Sequence, residues 1–180
     1  MTRVTYYTAT TLDGFLADEH DSLDWLFTQD TDADGPMGYT GFIAGIGAMV
    51  MGATTYQWLL DHAAATGEPW GYDIPCWVFT HRSFPEAEGD VRFVGGGVEE
   101  VWPEVVAGAA GRDVWVVGGG DLAAQWALAG HLDRLVVSIA PVTLGAGRPL
   151  FPRPFDLRLV DLARNGDLLC ATYDVVGPRG

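Results

Sequence analysis

The chain has 180 residues, 48% of them hydrophobic and seven of them Trp, a composition suited to a sizeable folded core rather than to disorder. Its net charge is −14, and all ten basic residues are Arg, because the sequence contains no Lys. This excludes a P-loop lysine, a Schiff-base lysine and Ser–Lys hydrolysis, and it disfavours nucleic-acid binding, which needs a basic face.

No apolar run reaches the ~18 residues of a membrane span, and the N-terminus lacks a signal-peptide pattern, so a cytoplasmic protein is expected. Cys76 and Cys170 lie in apolar runs without metal or redox spacing, which predicts buried free thiols. The four His residues have no ligand spacing, so no metal site is predicted.

Residues 3–9 are β-branched and aromatic and read as a strand, followed by a turn at Leu12-Asp13-Gly14 and a short extended return. Residues 18–35 form an acidic stretch read as a solvated loop, with Leu23–Phe27 folding back as a helical turn. Pro36 and the spacing of Met37, Phe42, Ile43 and Ile46 predict a helix over 36–47. Gly38, Gly41 and Gly45 burden it by roughly 1 kcal/mol each relative to Ala. A buried strand over 48–51 ends at Gly52, and Thr54 is placed to cap a helix through about residue 64.

Strands follow over 75–80 and 91–94, then a loop at Gly95-Gly96-Gly97, a helix near 98–110 and a strand over 113–117. Residues 132–140 form a further strand. Two final strands, about 157–164 and 168–176, flank Asn165-Gly166, a strong hairpin signal. Strands alternate with helices up to residue 140, so a single α/β domain over 1–180 is expected, with a mainly parallel sheet closing in an antiparallel hairpin.

The apolar run Asp113–Val117 enters Gly118-Gly119-Gly120, and Asp121-Leu122-Ala123 opens an amphipathic segment. A strand, a turn free of side chains and a helix start let backbone N–H groups approach a phosphate, aided by the helix dipole. The spacing formally fits a G-x-G-x-x-A dinucleotide fingerprint. It comes late in the chain, however, and no ribose-binding acid ends the next strand, so a different nucleotide fold is expected. Asp121 reads as the N-cap of the following helix.

Four segments in order, Thr11–Ala17, Val50–Tyr56, Val116–Gly120 and Ala140–Phe151, resemble the dihydrofolate reductase-like superfamily. The likeness is closest to the reductase domain of the bifunctional riboflavin-biosynthesis deaminase/reductase and its stand-alone relatives. The resemblance implies a three-layer domain that uses NADPH as hydride donor. It implies that Ala9 and Leu16 flank the nicotinamide. Val117, Gly118, Gly119, Gly120, Asp121 and Leu122 would surround the diphosphate, with Gly52, Thr54 and Thr55 at a second helix start. Thr80, His81, Arg82 and Ser83 would approach the adenosine 2′-phosphate. The residue after Gly52 is Ala53 where such proteins commonly carry Arg, which leaves His81 and Arg82 to supply that contact.

Folate reductases place an acid on the helix corresponding to 36–47, and this segment holds none, which disfavours dihydrofolate as substrate. Asp13, Asp34 and Tyr39 are the candidate proton donors. Trp25, Tyr56, Trp58 and Trp70 serve either as core or as the lining of an apolar pocket between the first strand and the 36–47 and 54–64 helices. The expected activity is hydride transfer to a C=N or C=O group of a small heterocyclic substrate. Reduction of a pyrimidine ribose phosphate is weakened by the scarcity of basic charge. A sequestering protein without turnover is the alternative, and the apolar C-terminal strands suggest a homodimer.

Overall fold

The computed structural model describes residues 1–180. In chain order the elements are β1 (Val4–Thr11), β2 (Phe15–Ala17), α1 (Asp24–Phe27), α2 (Tyr39–Ile43), β3 (Ile46–Gly52), α3 (Ala53–Thr66), β4 (Cys76–Phe79) and β5 (Val91–Val94). They continue as α4 (Val98–Ala109), β6 (Asp113–Gly118), α5 (Gly120–Leu128), β7 (Arg134–Ala140), β8 (Arg148–Pro149), β9 (Phe155–Asn165) and β10 (Leu168–Pro178).

Eight strands form one sheet in the order β5-β4-β3-β6-β1-β7-β10-β9, while β2 and β8 pair separately. Neighbours from β5 to β7 run parallel, and β10 is antiparallel to both β7 and β9. The inner strands are apolar on both faces because helices cover both. Val4, Tyr6, Ala48, Val50, Trp77, Val114 and Val116 pack under α4 and α5, with Trp126 at the centre. On the opposite face Met49, Met51, Cys76, Val78 and Trp115 meet Tyr56 of α3 and Phe42 of α2. The result is the expected α/β architecture with a mainly parallel sheet and a C-terminal antiparallel pair.

Several local expectations are corrected. The 36–47 helix shrinks to the single turn of α2, and β3 begins two residues earlier than predicted, at Ile46. The reason is close packing. A Cβ at Gly38 would lie 2.3 Å from the Ala33 carbonyl, and one at Gly47 would lie 2.1 Å from the Ala109 carbonyl. α2 is then held by tertiary contact, with Phe42 stacked on Tyr7 at 4.1 Å. α3 starts one residue before Thr54, with Gly52 as its cap residue, and ends at Gly67, whose φ of 75° closes it in the left-handed region. Gly119, not Asp121, caps α5.

Part of the acidic stretch is docked rather than solvated. The hairpin loop is Gly166-Asp167, because Asn165 is itself paired with Leu168. Asn165 is buried and turns its amide onto the 32–36 segment. Its Oδ1 accepts from the Asp32 N–H at 2.9 Å, and its Nδ2 donates to the carbonyls of Asp32 at 2.8 Å and Pro36 at 3.2 Å. Asp167 exchanges two further bonds with the Asp30 backbone, each 2.8 Å long. No helix is long and apolar enough to cross a membrane, and both cysteines are buried and free.

Candidate active site

The carboxyl ends of β3, β4, β5 and β6 open on one edge of the sheet, where the order reverses around β1 and ligand sites of α/β folds form. A cleft of about 1230 Å³ lies there, larger than most single-ring sites need. Its floor holds the starts of two helices. α3 follows Gly52 and α5 follows Gly119, and neither helix has a side-chain cap, so first-turn N–H groups remain available at both.

The three glycines differ in what they do. A Cβ at Gly120 would lie 2.3 Å from the Pro149 carbonyl and 2.5 Å from that of Leu150, so the chain crosses β8 there at backbone contact. A Cβ at Gly118 would lie 3.2 Å from Thr55 Oγ1, which brings the end of β6 against α3. A Cβ at Gly119 would meet nothing within 4 Å, so this residue faces the open cleft. The Gly118–Gly119 peptide is cis.

Leu16, Gly52, Thr54, Thr55, Thr80, His81, Arg82, Gly119, Gly120, Asp121 and Leu122 all line the cleft, together with Ala53. At one end Arg82 is exposed, its backbone N–H donates to Thr80 Oγ1 at 2.9 Å, and its guanidinium has no carboxylate partner. Such a fork suits a phosphate. Asp121, at the start of α5, is turned sideways. Its Oδ2 accepts from Gln125 Nε2 at 2.8 Å, and its Oδ1 lies 3.9 Å from Arg153. These features together fit a dinucleotide phosphate: glycine where the cleft floor is open, two free helix starts and one uncommitted guanidinium.

Four expected cofactor residues lie outside the lining. Ala9 packs toward Trp25 and Ala140, Val117 packs beside Trp115, Gly118 is covered by Thr55, and Ser83 sits in the exposed loop beyond Arg82.

None of the three candidate proton donors reaches the cleft, and each has another place. Asp13 accepts from Thr11 Oγ1 at 2.6 Å, from the Gly145 N–H at 2.7 Å and from the Leu144 N–H at 3.1 Å. Those donors, Thr11 foremost, hold its carboxyl below the usual range, so it clamps the 144–145 turn as an anion. Asp34 is exposed in the loop before α2, where its N–H donates to Asp32 Oδ1. Tyr39 packs its ring edge on Trp115 at 6.0 Å and lines a second cavity, and burial raises its phenol pKa above the ordinary value.

The expected pocket between β1, α2 and α3 is therefore divided. The second cavity, about 750 Å³, lies along the later turns of α3 with Leu59, His62, Trp70 and Tyr72 in its wall. Trp58 lines the cleft, His62 lines the second cavity, and the two rings stack at 4.8 Å between them.

Sequence reading missed several cleft residues. Gly95 and Gly96, read as a plain loop, line it beside His81. Gln57 and Asp61 join Trp58 there, and their spacing with Thr54 along one helix face was the available signal. Arg148 arrives from β8 and binds Asp21 through Nε at 2.6 Å and Nη2 at 3.2 Å, a pair separated by 127 positions and invisible to local patterns.

A family model described as RibD C-terminal domain matches residues 73–167. The chain is 29% identical over 146 residues to the uncharacterized protein YwjB of Bacillus subtilis, covering 81% of this chain and 80% of that one. Among solved structures it resembles a putative riboflavin biosynthesis protein from Shewanella sp. PV-4, with a TM-score of 0.81 and 22% identity over 98% of this chain and 99% of that chain. It also resembles the diaminohydroxyphosphoribosylaminopyrimidine deaminase/5-amino-6-(5-phosphoribosylamino)uracil reductase of Thermotoga maritima, with a TM-score of 0.67 and 17% identity. That match covers 97% of this chain and 57% of the Thermotoga protein.

Proposed function

Because the chain belongs to the RibD C-terminal domain family, we propose that it is an NADPH-dependent reductase acting on a C=N or C=O group of a small heterocycle. One observation carries the reading: two helix starts without side-chain caps converge on an open glycine in a cleft of dinucleotide size. NADPH supplies the hydride when bound. The chain's own residues bind and orient. The first-turn N–H groups of α3 and α5 take the diphosphate oxygens, and Thr54 and Thr55 add hydroxyl donors. Arg82 takes the 2′-phosphate in place of the arginine that Ala53 lacks.

Leu16 and Ala17 of β2 also line the cleft and would exclude water from one side of the reacting ring. Fixed placement of two reactants in such a site supplies much of the rate. With Asp13, Asp34 and Tyr39 outside the cleft, the proton comes from solvent. Titration with NADPH, followed by nicotinamide fluorescence, tests the proposal. Failure to bind at ~1 mM, a free energy near −4 kcal/mol, would remove it. Binding without oxidation by any acceptor would favour sequestration.

The assembly proposed with this function is a homodimer through β9. This outer strand is 11 residues long and exposes Leu157, Leu159, Val160 and Leu162. A long apolar edge invites pairing with a second copy. Sedimentation should show a dimer that Leu159→Lys dissociates, and a monomeric native protein would refute the interface.

A further inference from the structure

We propose that the substrate, given the reductase reading above, is a flat ring that is neutral or positively charged and carries no phosphate. The strand order spreads the cleft from the ends of β4 and β5, where Thr80–Arg82 stand, to the 20–23 loop beside β2. The cofactor's phosphates belong to the first part. The substrate would take the rest of the lining, which includes Trp58 and Asp61 of α3 and His20–Leu23 of the loop after β2.

That wall is aromatic and anionic. Trp58, His62 and Phe27 form a triangular cluster of near-parallel rings, with centroids 4.8 Å apart for Trp58–His62, 6.2 Å for Phe27–Trp58 and 6.0 Å for Phe27–His62. Phe27, 61% exposed, packs on this cluster from outside the cleft, so Trp58 is the aromatic face that the cleft itself offers to another ring. Asp61 lies about 12 Å along α3 from Ala53, at 1.5 Å per residue, and so beyond the phosphate end. Its Oδ1 accepts from Gln57 Nε2 at 2.9 Å, and it has no cationic partner.

The arginines do not offset this charge. Two of them line the cleft. Arg82 is at the cofactor end, and Arg148 is held bidentately by Asp21, a pair whose net charge is zero. A substrate phosphate would have to displace Asp21 and then lie beside its freed carboxylate. Past His62, the second cavity carries Glu68, Glu86 and Glu88 in its wall and no arginine. A substrate that extends either way from Trp58 therefore meets carboxylates, whereas a cationic ring gains from both the Trp58 face and Asp61.

Benzamidine, benzamide and benzoate share one ring and differ in charge, so they test the charge rule directly. Calorimetric titration of the NADPH-loaded protein should show benzamidine binding about two- to fivefold more tightly than benzamide, the range expected of an exposed charge pair, with benzoate weakest. Asp61→Asn should bring benzamidine to the level of benzamide, and Trp58→Ala should weaken both. Uridine should bind more tightly than uridine 5′-monophosphate. Benzoate equal to benzamidine, tighter binding of the monophosphate, or no binding by any of the rings would overturn the proposal. Repeating the ring titrations without cofactor separates the two readings. Loss of NADPH binding removes the reductase assignment, whereas the order among the rings reports on this wall alone.

Discussion

The two ends of the cleft are built by different physics. At the end proposed for the phosphates the groups on offer are backbone N–H donors at the starts of α3 and α5, and Gly52 and Gly119 place no side chain there. At the far end the working groups are side chains, Trp58, Asp61 and the Asp21–Arg148 pair, brought together from α3, the 20–23 loop and β8. A backbone site tolerates few substitutions and binds one kind of group. A side-chain wall can change its ligand while the fold stays the same.

The sharpest way to break this contrast is within the glycine run. Gly120→Ala puts a methyl group 2.3 Å from the Pro149 carbonyl, where neither backbone can easily yield. A loss on the order of 3 kcal/mol or more is expected, read as a large drop in thermal midpoint. Gly119→Ala meets nothing within 4 Å and has a φ of −89° that Ala accepts, so stability should hold while NADPH affinity falls. Equal loss of stability in both variants would show that the open face of Gly119 is not reserved for a ligand.

The segment before α2 depends on a clamp outside the cleft. Asn165→Ala removes three hydrogen bonds and leaves the Asp32 N–H and two carbonyls without their partner. An unsatisfied buried group costs roughly 1–3 kcal/mol, so about 2 kcal/mol of stability should go. Hydrogen exchange should rise over residues 30–39 and stay unchanged at the starts of α3 and α5. Exchange that rises equally at both ends would mean the two halves are not independently supported.

Arg82→Ala has a smaller expected effect, confined to the phosphate end. One charge-assisted contact to a phosphate is worth about 1.5 kcal/mol, so NADPH affinity should fall roughly tenfold while NADH is barely affected. Equal weakening of both cofactors would remove Arg82 from the 2′-phosphate.

The same division explains what the sequence made legible. The glycine turn and the parallel sheet follow from short apolar runs and neighbouring residues, whereas Gly52, Thr54 and Thr80, which line one cleft with Gly119, were singled out as site residues only by the family resemblance. The far wall rests on long-range pairings. Asn165 read as a turn residue, yet its amide is spent on Asp32 and Pro36, more than 120 positions away. The 36–47 helix failed for a related reason: Gly38 and Gly47 serve contacts with Ala33 and Ala109 that no helical period records. Asp13 was legible as a turn-shaping residue, and its proposed proton role was the part that needed the distances to Gly145 and Leu144.

Asp13 also provides the smallest and most specific test. Its carboxyl is held below the ordinary range by Thr11 and the Gly145 N–H, so the folded state favours its ionised form. A depressed folded pKa contributes stability that is fully present above the unfolded value and is lost as pH falls through the folded one. The advantage of the native protein over Asp13→Asn should therefore be constant near neutrality and shrink under acid, below the usual carboxylate range. Asp174, held low by Arg158 and Arg134, titrates in the same direction in both proteins, so only the difference between their thermal midpoints isolates Asp13. The acid limb of stability changes in Asp13→Asn whatever else the residue does, so turnover separates the roles: a proton donor would lose it in Asp13→Asn, whereas a structural clamp retains it with its pH dependence unchanged.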